Sequence, residues 1–308
     1  MKRVIALLLA LALCAALPAA LAEENKTVVA TFYPIYCMAA NLLADVPGAT
    51  LASLTPPTTG CLHDQALLPA DLQTLDAADV LLMNGAGMES YLDDALSQFP
   101  DLLVVDASQG IALLPAQEHH DEHDGNEEHD HGEYNAHLWM SVPNAMQMVR
   151  NLCAGLVQAL PEQQAKLEAN RDAYLLRLEA LDQKLREGLA PYVGREMVTF
   201  HEAFAYFAQE YGLTVVATVV SDPEETLSAG EMADLAQLIT EKNLPPLFIE
   251  PAYECPAAEL LSQETGVAVY TLDPATTGDT TLPQALTAYE AALEADLAVL
   301  TQAFTPAE

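Results

Sequence analysis

Two α/β lobes built on parallel sheets and joined by one long rigid helix are the architecture this sequence predicts. Three observations predict it. Short β-branched runs alternate with helical stretches from Thr27 to Asp106, the same alternation begins again beyond Pro191, and Glu162 to Gly188 between them reads as a single helix.

Thr27 to Thr31 is a β-rich run, and a helix from Ile35 to Ala44 follows it, stopped by Val46-Pro47-Gly48. Thr50 to Leu54 makes a second strand, after which Pro69 opens a helix through Ala77 with Asp71 in its first turn. Val80 to Asn84 is a third strand, Met88 to Gln98 a helix, and Leu102 to Asp106 a fourth strand. A helix from Pro143 to about Leu160 precedes the long one. The long helix carries an apolar stripe of Leu167, Tyr174, Leu175, Leu178, Leu181 and Leu185, with charges on its other faces. At about 27 residues it is roughly 40 Å long, wider than a small domain, so it reads as a rod between lobes. In the second half the strands are Met197–Phe200, Thr214–Val220, Pro246–Ile249 and Val267–Leu272. The helices there are Ala203–Tyr211, Leu227–Lys242, Cys255–Thr265 and a closing one from Leu282 to about Phe304. Each half is a (βα)4-like lobe with right-handed crossovers. The expected boundaries are 23–160 for the first lobe, 161–190 for the linking helix and 191–308 for the second lobe.

The amino terminus has a basic Met1-Lys2-Arg3, an apolar run from Val4 to Leu17 and small residues at Ala20 and Ala22. That pattern is a signal peptide of residues 1–22, cleaved near Ala22-Glu23, and the apolar run is short of the roughly 20 residues a membrane span needs. A lipid anchor at Cys14 fits less well, because bulky Leu13 precedes the cysteine and no polar tether follows. The expected product is exported, periplasmic or at the cell surface. With 45 acidic and 11 basic residues, the formal net charge is −34. A field of that sign repels nucleic acid and attracts cations.

Residues 118–133 hold five of the eight histidines, His119, His120, His123, His129 and His131, among acidic neighbours. The stretch has no apolar residue and no regular period, so it reads as a loop that cannot bury a core. Imidazole and carboxylate together suit divalent transition metals. The blander reading is an acidic linker in which histidine is an accident of composition. Cys37, Cys61, Cys153 and Cys255 remain after cleavage, an even number that suggests disulfides in an exported chain. Cys37 and Cys61 each follow a neighbouring parallel strand, which makes that pair the expected bridge; pairing of Cys153 with Cys255 is open.

The other three histidines, His63, His137 and His201, each fall in a loop at or near a helix start, and His201 directly follows a strand. Asp273 directly follows another. Such loops collect at the carboxyl edge of a parallel sheet, where open α/β folds bind ligands. Three imidazoles and a carboxylate from four loops, two per lobe, make a tetrahedral set for Zn²⁺ at the lobe interface. Taken singly, each is more simply a hydrogen-bonded structural residue; together they point to metal.

At these residues the chain resembles the substrate-binding proteins of zinc and manganese ABC importers, high-affinity zinc-uptake type with a histidine-rich loop. Phe32-Tyr33-Pro34, Gly60 to His63 with Pro69 and Asp71, His137 to Ser141, His201 to Phe204, Glu250-Pro251 and Leu272-Asp273-Pro274 carry the resemblance. It implies metal ligation by His63, His137, His201 and Asp273, supporting roles for Glu202 and Glu250, and histidine at 201 where manganese-preferring relatives carry glutamate. It also implies Zn²⁺ as the transported ligand, a membrane ABC permease as partner, and a monomer. Two positions depart from the family pattern: Cys61-Leu62 and Asn135-Ala136 stand where Asp-Pro usually precedes the histidine. The expected function is capture and delivery of Zn²⁺ without a chemical step. A manganese- or iron-binding relative, or a metal-dependent adhesin of the same fold, is the alternative. A zinc hydrolase is a more remote rival, because position 205 is alanine and His-Glu-x-x-His is therefore absent.

Overall fold

The computed structural model describes residues 25–62, 65–116, 133–219, 228–242, 246–253 and 255–305. His63, the five clustered histidines His119, His120, His123, His129 and His131, and the amino-terminal segment with Cys14 lie outside them.

Strands β1 (Lys26–Ala30), β2 (Ala49–Ser53), β3 (Val80–Met83) and β4 (Leu103–Asp106) form one all-parallel sheet in the order β2-β1-β3-β4. A second all-parallel sheet repeats that order with β5 (Glu196–Thr199), β6 (Thr214–Thr218), β7 (Leu247–Ile249) and β8 (Val269–Thr271), arranged β6-β5-β7-β8. The chain moves one way from β1 to β2 and then the other way to β3. The crevice at the carboxyl ends of β1 and β3, and its counterpart at β5 and β7, is where such sheets take ligands.

In the first half the helices are α1 (Tyr33–Leu42), α2 (Pro69–Asp76), α3 (Asp93–Leu96) and α4 (Val142–Ala159). Pro69 opens α2, where the Asp71 carboxylate accepts from the Leu68 amide at 2.8 Å. The long helix is α5 (Gln164–Leu189), 26 residues with a 3-10 turn at each end. Its predicted stripe is buried, with Leu189 continuing it. The second half contributes α6 (Ala205–Tyr211), α7 (Ala229–Lys242), α8 (Pro256–Thr265), α9 (Leu282–Ala285) and α10 (Ala288–Phe304). Gly212 and Gly266 end α6 and α8 in the left-handed conformation that glycine adopts without a Cβ penalty.

Two predicted helices are shorter than expected, for identifiable reasons. In place of a helix over 88–98, a 3-10 turn at Ser90–Leu92 leads into the single turn α3. Glu89, just ahead of it, sends its buried carboxylate back to the end of β3. There Oε1 accepts from the Thr31 hydroxyl and the Asn84 amide, both at 2.7 Å, and Oε2 accepts from the Gly85 amide at 3.0 Å. Burial pushes this carboxyl up to about 7 against the pull of those donors. The closing helix is broken between α9 and α10, where the Leu286 carbonyl accepts from Arg177 Nη2 at 2.9 Å and Asn41 Nδ2 at 3.2 Å.

The expected Cys37–Cys61 disulfide is absent. Cys37 lies one turn inside α1, buried, with its thiol pushed up to about 12 by that burial. The Cys61 sulfur faces elsewhere, 3.5 Å from His137 Nε2. Cys153 and Cys255 are not bridged either.

One apolar cluster runs through both halves, joining Leu62, Trp139, Tyr174, Phe204, Phe248 and Tyr289. Smaller clusters sit on the far faces of the two sheets, around Val29, Leu75 and Leu81 in one and Val198, Leu247 and Leu261 in the other. Along α5, Asn170 Nδ2 donates to the Leu42 and Ala44 carbonyls, while Arg186 pairs with Asp182 and Glu210. The rod is therefore anchored in both halves and shares their core.

Glu89→Ala leaves two backbone amides and a hydroxyl without an acceptor in a buried site. The expected cost is about 2–4 kcal/mol of folding free energy, read as a lower urea midpoint with an unchanged slope.

Candidate metal centre

His137 and His201 come from opposite halves and meet with ring centroids 4.7 Å apart and planes at 81°. Both are buried. An imidazole has two nitrogens, and the hydrogen bond made by one decides what the other can do.

His201 follows β5, and Glu250 follows β7, the strand across the switch point. His201 Nδ1 and Glu250 Oε1 are 2.8 Å apart. With Nδ1–H donated to the carboxylate, Nε2 carries the lone pair. The other Glu250 oxygen, Oε2, is buried with no hydrogen-bond partner among the described residues.

Asn135 does the same for His137. Its Oδ1 lies 3.0 Å from His137 Nδ1 and also accepts the His137 amide at 2.9 Å. This again leaves Nε2 as the ligand atom, and it is the nitrogen that faces Cys61 Sγ. Asn135 is tied to the second half as well. Its Nδ2 donates to the Glu202 carbonyl at 3.0 Å, and its own carbonyl accepts from the Tyr206 hydroxyl at 2.9 Å. Asn84, at the end of β3, donates to the Ala136 carbonyl at 2.9 Å, so the buried Glu89 turn supports the loop that carries His137.

Trp139, two residues on, is wholly buried, edge-on to Phe32 at 5.2 Å. Its Nε1 donates to the Pro274 carbonyl at 2.7 Å, and its carbonyl accepts from the Tyr289 hydroxyl at 2.6 Å. Gly278 N donates to the Pro57 carbonyl at 2.9 Å, a further bond across the interface.

The Cys61 backbone is held by the second half too. Its amide donates to the Tyr253 hydroxyl at 3.3 Å. Gly60 has φ +83°, and a Cβ there would strike that same hydroxyl, so the turn takes only glycine. The sulfur of Cys61 and the ring nitrogens of His137 and His201 offer ligand atoms all within 4.8 Å of one another.

Of the ligands expected from sequence, the structure thus brings His137 and His201 together. Asp273, after β8, is not one of that trio. Its Oδ1 accepts the Ala275 amide at 2.8 Å, and its own amide donates to the buried Asp296 carboxylate at 2.8 Å. Burial raises the Asp273 carboxyl, and the Glu250 charge adds to the effect. Asp296, on α10, is raised well above the ordinary range by the same burial. Glu250 supports His201 directly, whereas Glu202 contributes its carbonyl to Asn135. Sequence reasoning missed Asn135, Cys61 and Tyr253 as members of the site. The one signal for the first two is that each stands two positions ahead of a histidine.

The zinc-binding lipoprotein AdcA of Streptococcus pneumoniae is 28% identical over 258 residues, covering 82% of this chain. The chain spans about half (50%) of that relative's length. The high-affinity zinc uptake system protein ZnuA of Yersinia pestis is 29% identical over 271 residues, 82% of this chain and 84% of its own. The iron-binding protein YfeA of the same organism is 31% identical over 261 residues, 80% and 79% of the two chains. The crystal structure of Zn(II)-bound AdcA superposes with a TM-score of 0.77 at 25% identity, covering 91% of this chain and 57% of that one. The model of the ZnuA family, zinc-uptake complex component A, periplasmic, matches residues 28–303, from β1 to the end of α10, and the chain belongs to that family.

Proposed function

We propose that this chain captures Zn²⁺ outside the cytoplasm and delivers it to a membrane permease of the ABC class. The observation that carries the reading is the pair of buried imidazoles, each with Nδ1 held by an acceptor so that the lone pair lies on Nε2. Hydrogen-bonding the distal nitrogen fixes the tautomer and raises the basicity of the metal-binding one. The names of AdcA and of the Yersinia pestis ZnuA support zinc as the cargo.

His137 and His201 hold the ion, and His63 and Asp273 are the further donors that the sequence points to. The Glu250 carboxylate offsets part of the cation's charge from behind His201. The ion exchanges its water for fixed nitrogen donors, and no bond of a substrate is made or broken. Residues 118–133 act beside this site as a weak, acidic collector of cations. The family's periplasmic description agrees with a cleaved amino-terminal signal at residues 1–22. YfeA, an iron-binding relative by name, supports the second reading of an iron or manganese carrier. Nitrogen donors at 137 and 201 favour zinc over manganese, because the softer ligand prefers the softer ion.

Competitive titration with a chromophoric zinc chelator tests the assignment. His201→Ala lowers zinc affinity by more than the roughly 10–100-fold typical of losing a hydrogen-bond partner behind a ligand. Asn135→Ala and Glu250→Gln each fall within that range. Full affinity in His201→Ala would refute the site. Deleting 118–133 removes weakly held ions and leaves the tight constant unchanged. An ion of another metal held more tightly than zinc in the same assay would favour the second reading.

Imidazole ligates only when neutral, so protons compete with zinc. Affinity is therefore full above the histidine range and declines as pH drops through about 6.5. Titrations at several pH values measure that slope.

Because one core and several hydrogen bonds join the two halves, loading with zinc produces local loop adjustment in place of a wide hinge. Small-angle scattering curves of the metal-free and loaded forms are expected to superimpose; a marked compaction on loading would contradict this.

A further inference from the structure

We propose that Cys61 is itself a ligand, in the place that sequence reasoning assigns to Asp273, so that the cargo is held by a thiolate alongside imidazole nitrogen. The inference rests on the reading of His137 and His201 as metal ligands and extends it to the chemical class of ion the site selects.

The placement of the sulfur carries the inference. Two ligands bound to one tetrahedral zinc, with Zn–S near 2.3 Å and Zn–N near 2.05 Å, are about 3.6 Å apart. Cys61 Sγ lies 3.5 Å from His137 Nε2. That nitrogen carries the imidazole lone pair, because Nδ1 is held by Asn135 Oδ1. An S–H···N hydrogen bond explains this distance alone. It does not explain why the His201 ligand atom falls in the same group, within 4.8 Å of both. The donors also come from three segments that only the folded chain unites, and two of those segments are held from the opposite half. Tyr253 fixes the Cys61 amide, and the left-handed Gly60 before it admits no side chain. The sulfur is thus positioned by backbone restraint and not by a disulfide, which this cysteine does not make.

Thiolate, not thiol, ligates metal. On binding, the S–H bond breaks, the proton passes to water and the sulfur lone pair forms the metal–sulfur bond, with no change of oxidation state. A sulfur donor favours soft and borderline ions, Zn²⁺ and Cd²⁺ among them, over hard Mn²⁺. It adds selectivity to that given by histidine at 201.

The test uses the mature protein under reducing conditions, titrated with Co²⁺ as an optical stand-in for Zn²⁺. A thiolate ligand produces intense sulfur-to-cobalt charge transfer in the near ultraviolet, which nitrogen and oxygen donors do not. The wild-type complex is expected to show that band. Cys61→Ser is expected to lose it while still binding, with zinc affinity reduced at least ten-fold, manganese affinity changed less, and one fewer proton released per zinc. Cys61→Ala serves as a second variant, and the wild-type spectrum needs no variant to be read. Cobalt binding without charge transfer, or a band that survives in both variants, overturns the thiolate and leaves the histidine site standing. Failure of the wild type to bind cobalt or zinc overturns both.

Discussion

The structure turns on two hydrogen bonds that are easily overlooked, from His137 to Asn135 and from His201 to Glu250. Two imidazoles buried at 4.7 Å from each other would repel if both were protonated, and would point arbitrary nitrogens inward if neither were oriented. The acceptors resolve both problems by fixing which nitrogen holds the proton. They are unequal acceptors. Asn135 is neutral and orients its histidine at no electrostatic cost, whereas Glu250 brings a negative charge into a buried crevice. That charge favours any arriving cation, so specificity for one metal depends on what the other donors supply.

Around this pair the two halves are fastened with little freedom. The apolar cluster is continuous from Leu62 to Tyr289, and Trp139 is gripped by Pro274 on one side and Tyr289 on the other. Helix α5 adds anchors at Asn170, Arg177 and Arg186. Such an interface holds the donors in place before the ion arrives. Preorganised donors spend less binding free energy on ordering themselves.

Much of this was legible in the residue pattern. The period of the strands, the leucine stripe on α5 and the position of each isolated histidine after a strand or ahead of a helix pointed to the fold and to the crevice. What was not legible came from contacts between distant segments. Cys61 read as one half of a disulfide because both cysteines followed neighbouring strands, yet Cys37 is turned into the core of α1. The one local mark on Asn135 is its place two positions ahead of His137; its role appears only when His137 and Glu202 lie on either side of it. The break before α10 depends on Arg177, more than a hundred positions away, drawing out the Leu286 carbonyl. His63 and the clustered histidines are outside the described residues and stay where the sequence put them.

The sequence separation of the donors governs when the protein can meet its metal. Cys61 and His137 are 76 positions apart, and Tyr253, which holds the Cys61 amide, is 192 away. Contacts of such long sequence separation form late, after the loops between them have closed. An unfolded chain therefore carries the weakly binding histidines of 118–133 but no tight site. If it crosses a membrane before folding, the ions it encounters inside the cell leave no trace in its final occupancy. Selection is made by the compartment in which the last contacts close, and chain topology thereby acts as a clock as well as a scaffold.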